Sequence, residues 1–217
     1  ARVSVREPHR IDPIRYWEPR IEVSEVPFRD SVERLRQTFL DSIRMHLRSD
    51  VPIGIALSGG IDSSAILACA AEVGSRDLSL RTFSFIAPGS DVDETSYITC
   101  AATAAGAANE QIHIQSDDIL RDIDKLIGRQ GEPFGSLSIY AQYRVMEIAT
   151  RSGIKVMLDG QGGDELFGGY RPFLARRLSE LLFRGRWGEA SGLWRSIGAL
   201  SDEGRPLIAQ AFEPAIP

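Results

Sequence analysis

Leu57-Ser58-Gly59-Gly60-Ile61-Asp62-Ser63-Ser64 is the stretch that decides how this chain is read. Directly before it runs the apolar segment Ile53-Gly54-Ile55-Ala56-Leu57, bounded by Pro52; directly after it a helical pattern continues to Val73. The order is therefore strand, glycine turn, helix. A helix N-terminus offers unpaired backbone N–H groups and the positive end of its dipole, which closely spaced phosphate oxygens require. Gly59 and Gly60 remove side chains that would block a ligand, and Ser58, Ser63 and Ser64 add hydroxyl donors. Asp62 would be repelled by phosphate alone, so its place in the turn points to a bridging Mg2+ held by oxygen ligands. A plain Ser/Gly turn with aspartate as a helix cap is the competing reading of this segment taken alone. Neither G-x-x-x-x-G-K-[ST] nor G-x-G-x-x-G occurs in the chain.

Working outward, the same alternation repeats. Apolar runs at 80–86, 110–114 and 155–158 read as further strands. Helical patterns occupy 93–106, the stretch after Ser116, and 138–151, with Ser116 expected as an N-cap ahead of acidic Asp117 and Asp118. Strands alternating with helices predict an α/β fold, a parallel sheet with helices on both faces. Upstream, Val32, Leu35, Phe39, Ile43 and Leu47 recur at helical spacing, an amphipathic helix packed on something larger. Residues 1–27 hold Pro8, Pro13, Pro19 and Pro27 among charges and read as an extended linker or entry segment. Beyond Tyr170 only helices are expected, anchored by Phe173, Leu178, Leu181, Leu182, Trp187 and Trp194. The expected organisation is thus 1–27 linker, 28–170 main domain, and 171–217 helical extension, which reads as truncated for want of a partner surface.

Composition excludes several function classes. The 217 residues are 43% hydrophobic and 25% charged, ordinary globular values, with a formal net charge of −5. That balance lacks the basic footprint of a nucleic-acid binder. No run of about 18 apolar residues occurs and the amino end is polar, which disfavours membrane spanning and secretion. Cys69 and Cys100 sit in apolar helical stretches and read as buried packing thiols in a reducing, cytoplasmic setting. His9, His46 and His113 are scattered without ligand spacing. Arg81, Arg144 and Arg171 have the reach for phosphate, although arginines of this kind are mostly solvated or stacked; Arg176, Arg177, Arg184 and Arg186 read as a solvated helix face.

The second constellation is Asp159-Gly160-Gln161-Gly162-Gly163-Asp164-Glu165-Leu166-Phe167-Gly168-Gly169-Tyr170, directly after the last expected strand. In an open parallel sheet ligands gather beyond the carboxyl ends of the strands, so both turns should face one crevice. The glycines allow close backbone approach, and Asp164 offers the second carboxylate a shared Mg2+ would use.

Together the two motifs resemble the asparagine synthase family, specifically its synthetase domain. The likeness runs from about Tyr16-Trp17, which resembles an interdomain linker, to Tyr170, and includes Glu132-Pro133. S-G-G-x-D-S resembles the loop of ATP pyrophosphatases, enzymes that cleave ATP between its α and β phosphates. The resemblance implies a sheet of the adenine-nucleotide-α-hydrolase type, ATP and Mg2+ as requirements, and adenylation of a carboxylate, aspartate in the first instance, before attack by an amine. By position it places Ala56, Leu57, Ser58, Gly59, Gly60, Asp62, Ser63 and Ser64 on the nucleotide, with Phe85 against adenine and Asp159 and Gly160 further along. Asp62 and Asp164 take the metal and pyrophosphate roles.

The chain also departs from the family. Gln161 stands where better-known members carry a glutamate suspected of handling a proton or the amine, and glutamine is no general base near neutral pH. Glu132-Pro133-Phe134-Gly135-Ser136-Leu137-Ser138 lacks the arginine that helps some relatives hold aspartate. No amino-terminal cysteine or glutaminase-like segment precedes the linker, so the expected ammonia source is a glutaminase domain that was removed or resides elsewhere. A later catalytic lysine of some relatives is expected beyond Pro217. These departures keep two alternatives open: an intramolecular amide-forming relative of the β-lactam synthetase or lasso-peptide cyclase type, and a non-catalytic nucleotide-binding module. A homo-oligomer is compatible with all three readings.

Overall fold

The computed structural model describes residues 2–4, 7–18, 26–74, 79–90 and 93–199. The chain divides into two units, Ala1–Phe39 and Leu40–Pro217. In the first, β1 (Arg2–Ser4) and β2 (Glu7–Asp12) pair antiparallel, Val3 opposite Ile11. Residues 2–12 thus hold regular strands where an extended linker is expected. In a two-stranded ribbon every strand is an edge, so Pro8 can sit in β2 on the side that donates to no ladder. Within 13–18 the chain has no regular structure, and Tyr16 and Trp17 are exposed. Residues 19–25 lie outside the described part.

Helix α1 (Phe28–His46) carries the predicted stripe, but only Leu40 and Ile43 are buried; Val32 and Leu35 are exposed. The second unit is then built on β3 (Ile53–Ala56), β4 (Arg81–Ile86), β5 (Ala108–His113) and β6 (Val156–Leu158), all parallel, in the order β5-β4-β3-β6. Between β3 and β4 runs α2 (Ile61–Val73), and between β4 and β5 runs α3 (Thr95–Ala104). Helices α4 (Ser116–Gln130) and α5 (Ser138–Arg151) then carry the chain back across to β6. Right-handed crossovers place α2 and α3 on one face and the return connection on the other. The expected α/β architecture is what forms.

Side-chain alternation fills the two faces differently. Phe83 of β4, fully buried, packs with Val145 and Ala149 of α5 and with Ile154, flanked by Ala56, Phe85, Ile112, Ile148 and Met157. Gly54 belongs to this face for lack of room: a β-carbon there would fall 2.7 Å from Met157 Sδ and 2.8 Å from Phe83 Cε2. On the opposite face, the pleat turns Ile55 and Leu57 toward buried Ile66, Leu67 and Ala70 of α2 and Ile98 and Ala102 of α3. Thr82 and Ser84 are buried there too, and Asn109 Nδ2 donates to both hydroxyls, at 2.8 and 2.9 Å.

Several local expectations change. Ser116 does not cap α4; Gln115 precedes the helix, and its N–H donates to Asp118 Oδ2 at 3.1 Å, an acidic cap three residues in. Cys69 is half-buried and Cys100 is exposed on the outer side of α3; neither forms a disulfide. Helices α7 (Arg171–Phe183) and α8 (Trp187–Ala199) supply each other's partner surface, through Ala175 with Ile197 and through Leu178, Leu181 and Ala190. Each helix has one buried stripe, so Phe173, Trp187 and Trp194 stay exposed rather than anchoring the pair. The rest of the expected extension, 200–217, lies outside the described residues. No described helix is long and apolar enough to cross a membrane.

Candidate active site

The strand order reverses at β3, which has β4 on one side and β6 on the other. The carboxyl ends of β3 and β6 lie side by side there, and the crevice beyond strand ends at such a switch point is where open α/β sheets receive ligands. Both glycine-rich turns start at this point.

After β3, Leu57 N–H still donates to Phe83 O at 3.0 Å, keeping the turn anchored to the sheet. Ser63, buried, then braces the turn from inside: its hydroxyl donates to Gly60 O at 3.2 Å, accepts from Ser58 N–H at 3.2 Å, and lies 3.1 Å from Ser58 Oγ. Gly60 N–H donates to Ser58 Oγ at 3.3 Å. Gly59 has φ +87°, a left-handed conformation that a side chain would strain. The first intrahelical bond of α2 runs from Ser64 N–H to Gly60 O. Consequently the N–H groups of Ile61, Asp62 and Ser63 have no acceptor within the helix, the arrangement that binds anions.

After β6, the chain turns through Gly160 into the short helix α6 (Gly163–Phe167), with Gly162 and Gly168 left-handed at its two ends. The two turns touch. A β-carbon at Gly160 would fall 3.1 Å from the Ser63 nitrogen and 3.1 Å from Asp62 Cβ; one at Gly163 would fall 2.3 Å from Asp62 Oδ2. Glycine at 160 thus leaves the Ser63 N–H uncovered, and glycine at 163 leaves space for the Asp62 carboxylate. Asp164 follows directly, exposed, with its carboxylate folded over Gly169, where a β-carbon would fall 1.9 Å from Oδ1. Among the described residues no group of three or more His, Cys, Asp or Glu side chains forms a ready-made metal cage.

The remaining expected residues fall around this junction. Ala56 and Phe85 lie on the α5 face of the sheet near its carboxyl edge, half-buried against the Phe83 cluster. Asp159, half-buried, accepts a hydrogen bond from Gln142 Nε2 of α5 at 3.1 Å. Gln161 is exposed at the tip of the second turn. Tyr170 donates to Glu165 Oε1 at 3.0 Å and sits beside Phe173, ring centroids 5.9 Å apart. That bond to a carboxylate, reinforced by burial and the nearby acids, raises the Tyr170 phenol above its ordinary range.

Two of the three arginines weighed as phosphate ligands, Arg144 and Arg81, are engaged elsewhere. Arg144, buried, pairs with Asp122 at 3.0 Å, bonds Tyr140 Oη at 2.9 Å and lies over the Tyr140 ring. Arg81 pairs with Glu110, donates to Ser152 O at 2.8 Å and stacks over Phe83 at the opposite, amino end of β4. Two contributions escaped the sequence reading, one from Glu94 and Tyr97 together and one from Gln142. Glu94 and Tyr97, at the start of α3, close over the first turn, where a Gly59 β-carbon would meet their β-carbons at 3.3 and 3.1 Å. Gln142 is the other. An acidic pair of residues ahead of a helix, Asp93-Glu94, was the available signal for the first; a lone glutamine within α5 gave none.

The family described as asparagine synthase matches residues 34–213 of this chain. Putative asparagine synthetase [glutamine-hydrolyzing] 2 of Methanocaldococcus jannaschii is 38% identical over 144 residues, 66% of this chain and 27% of that protein. Asparagine synthetase [glutamine-hydrolyzing] 1 of Bacillus subtilis is 35% identical over 139 residues, 64% of this chain and 21% of its own length. The chain therefore spans about a quarter of the length of these relatives. Among solved structures, an NH3-dependent NAD synthetase from Campylobacter jejuni in complex with the nitrate ion superposes with a TM-score of 0.44 at 16% identity, covering 64% of this chain and 60% of that one.

Proposed function

The chain belongs to the asparagine synthase family, and on that footing we propose that it is the synthetase part of an ATP-dependent amide-forming ligase, with aspartate as the carboxylate and asparagine as the product. The observation that carries this reading is the junction of the two turns. An anion-binding helix start, stripped of covering side chains by Gly160, lies against an aspartate that Gly163 accommodates.

In this reading the triphosphate lies along the free N–H groups of Ile61, Asp62 and Ser63, and the adenosine end extends toward Ala56, Phe85 and Asp159. A carboxylate oxygen of the substrate attacks the α-phosphorus; the bond to the β-phosphate oxygen breaks and pyrophosphate leaves. The amine then attacks the acyl carbon of the adenylate, loses a proton and expels AMP. Positioning and electrostatic stabilisation are the protein's share of the first step. The donor set suits Mg2+, which takes one or two carboxylates and completes its shell with phosphate oxygens and water, so Asp62 and Asp164 are the residues to hold it. When bound, the ion would neutralise the leaving pyrophosphate. The relatives are named as glutamine-hydrolysing, and ammonia released by a glutaminase domain is the amine source proposed here, in a cytoplasmic setting.

One observation favours a second reading. Gln161, exposed at the turn, supplies no base, and 132–138 supplies no arginine for an amino-acid carboxylate. A substrate carrying its own amine, closed into an intramolecular amide, needs neither an ammonia source nor that arginine. Exchange of labelled pyrophosphate into ATP separates the readings. Exchange dependent on aspartate supports the first, and exchange seen only with larger amino-bearing carboxylates supports the second. No exchange with any carboxylate, despite ATP binding, would leave a non-catalytic nucleotide module.

A further inference from the structure

Helix α5 packs on the sheet through Val145 and Ala149, both buried beside Phe83. One turn nearer the helix start the same stripe is occupied by Gln142, since positions 142, 145 and 149 follow i, i+3, i+7 spacing. Here the strands end. An amide thus replaces a hydrophobe where the helix face runs past the core and reaches the carboxyl edge of the sheet. Its Nε2 donates to Asp159 Oδ2 at 3.1 Å. Asp159 follows β6 directly, and this bond to α5 puts its side chain on the face of the sheet that holds Met157, Ala56 and Phe85. The helix carrying Gln142 is itself fixed: Tyr140 and Arg144, on its other side, are tied to Asp122 of α4 by bonds of 2.9 and 3.0 Å.

We propose that Gln142 is a positioning residue for the nucleotide, clamping one carboxylate oxygen of Asp159 so that the other faces the adenosine end as a hydrogen-bond acceptor. The assignment deepens the ATP-ligase reading and rests on it. A carboxylate held by one donor loses its rotational freedom before the ligand arrives, and the bond it makes to a ribose hydroxyl or an adenine amino group carries less ordering cost. Amide rather than cation is the suitable clamp, because an arginine or lysine would neutralise Asp159 and compete for both of its oxygens. Gln142 touches no reacting atom; it acts through Asp159 alone.

The test is a double-mutant cycle on ATP binding and turnover with the full chain: unmodified, Gln142→Leu, Asp159→Ala and both together. Leucine, one bond shorter, removes the amide while keeping an aliphatic stem on α5, and thermal unfolding of each variant reports on folding independently. The expected result is a rise of about fivefold in Kd and KM for ATP in Gln142→Leu, the scale of ordering one side chain, with kcat held within about twofold. In the Asp159→Ala background the same substitution should change the Kd by less than about twofold. Unaltered ATP affinity in Gln142→Leu, a fall confined to kcat, or the same loss with and without Asp159 overturns the assignment while leaving the ATP-ligase reading intact. Failure of the unmodified chain to bind ATP overturns both.

Discussion

Position 163 has no room for a side chain because the Asp62 carboxylate already fills it: a β-carbon on Gly163 would fall 2.3 Å from Oδ2 and 2.5 Å from the carboxyl carbon. What blocks that β-carbon is the free end of a side chain, not backbone. Substituting Gly163→Ala should therefore push Asp62 aside at small structural cost, and alanine's better helix propensity, about 1 kcal/mol, works in the other direction. Stability is expected to change by less than about 1 kcal/mol while pyrophosphate exchange falls about 100-fold or more. Urea unfolding and the exchange assay on one preparation check this; equal losses in both would show that Gly163 serves the fold and not the aspartate.

Asp62→Asn keeps the shape of the side chain and removes its charge. The variant should unfold at the temperature of the unmodified protein, since Asp62 bonds none of the turn's bracing groups. Adenylation should fall by about 1,000-fold, the scale seen when one electrostatic contact is lost from a charged transition state. Retained exchange would remove Asp62 from the metal role.

Phe83 is completely buried between α5 and the sheet, in contact with Val145, Ala149 and Ile154. Phe83→Ala should cost about 3–5 kcal/mol through lost transfer energy and a residual cavity. The urea midpoint should fall with the slope unchanged. Phe85→Ala, at a half-buried position of the same strand, should cost less; the reverse ranking would mean that the core lies nearer the carboxyl edge of the sheet.

Asp122 accepts bonds from Tyr140 Oη at 2.9 Å and Arg144 Nη1 at 3.0 Å, with Lys125 and Arg121 close by. The Tyr140 hydrogen bond first, then Lys125 and the Arg121 charge, hold its carboxyl below the usual range. A depressed folded-state value stabilises the fold above the unfolded value, about 3.9, and that contribution disappears as pH falls through the folded value. Asp122→Asn should accordingly melt lower than the unmodified protein at pH 7, and the gap should narrow below about pH 4. Asp118 and Glu110 are depressed as well, so the difference between the two proteins, rather than either curve, isolates Asp122. A gap independent of pH would mean that the asparagine disrupts packing and not charge.

Much of this was readable in advance where punctuation was strong. Pro52 and the Ser58-Gly59-Gly60 turn delimit β3 to within a residue, and α5 occupies the span its periodicity predicts. Helix α6 was not foreseen, because five residues among glycines carry no periodicity, and the β1–β2 ribbon was hidden by prolines that an edge strand tolerates. The roles of Arg144 and Gln142 depend on partners in other elements, Asp122 and Asp159, and no local pattern encodes a pair formed across 17 or more positions. Cys100 shows the opposite limit: an apolar neighbourhood in sequence put the thiol on the outer side of its helix.

The β3–β6 register, Ile53 opposite Val156, joins strands about a hundred positions apart. On a ribosome, the serine-glycine turn is made long before the wall that completes it. A nascent or clipped chain ending ahead of β6 would hold the anion-binding helix start yet have no Gly163 to receive Asp62 and no Asp159 for Gln142 to hold. Under the proposed ATP-ligase reading, nucleotide capture is expected only with the last strand's insertion, the slow non-local step of parallel-sheet assembly, which would keep a half-made chain from sequestering ATP.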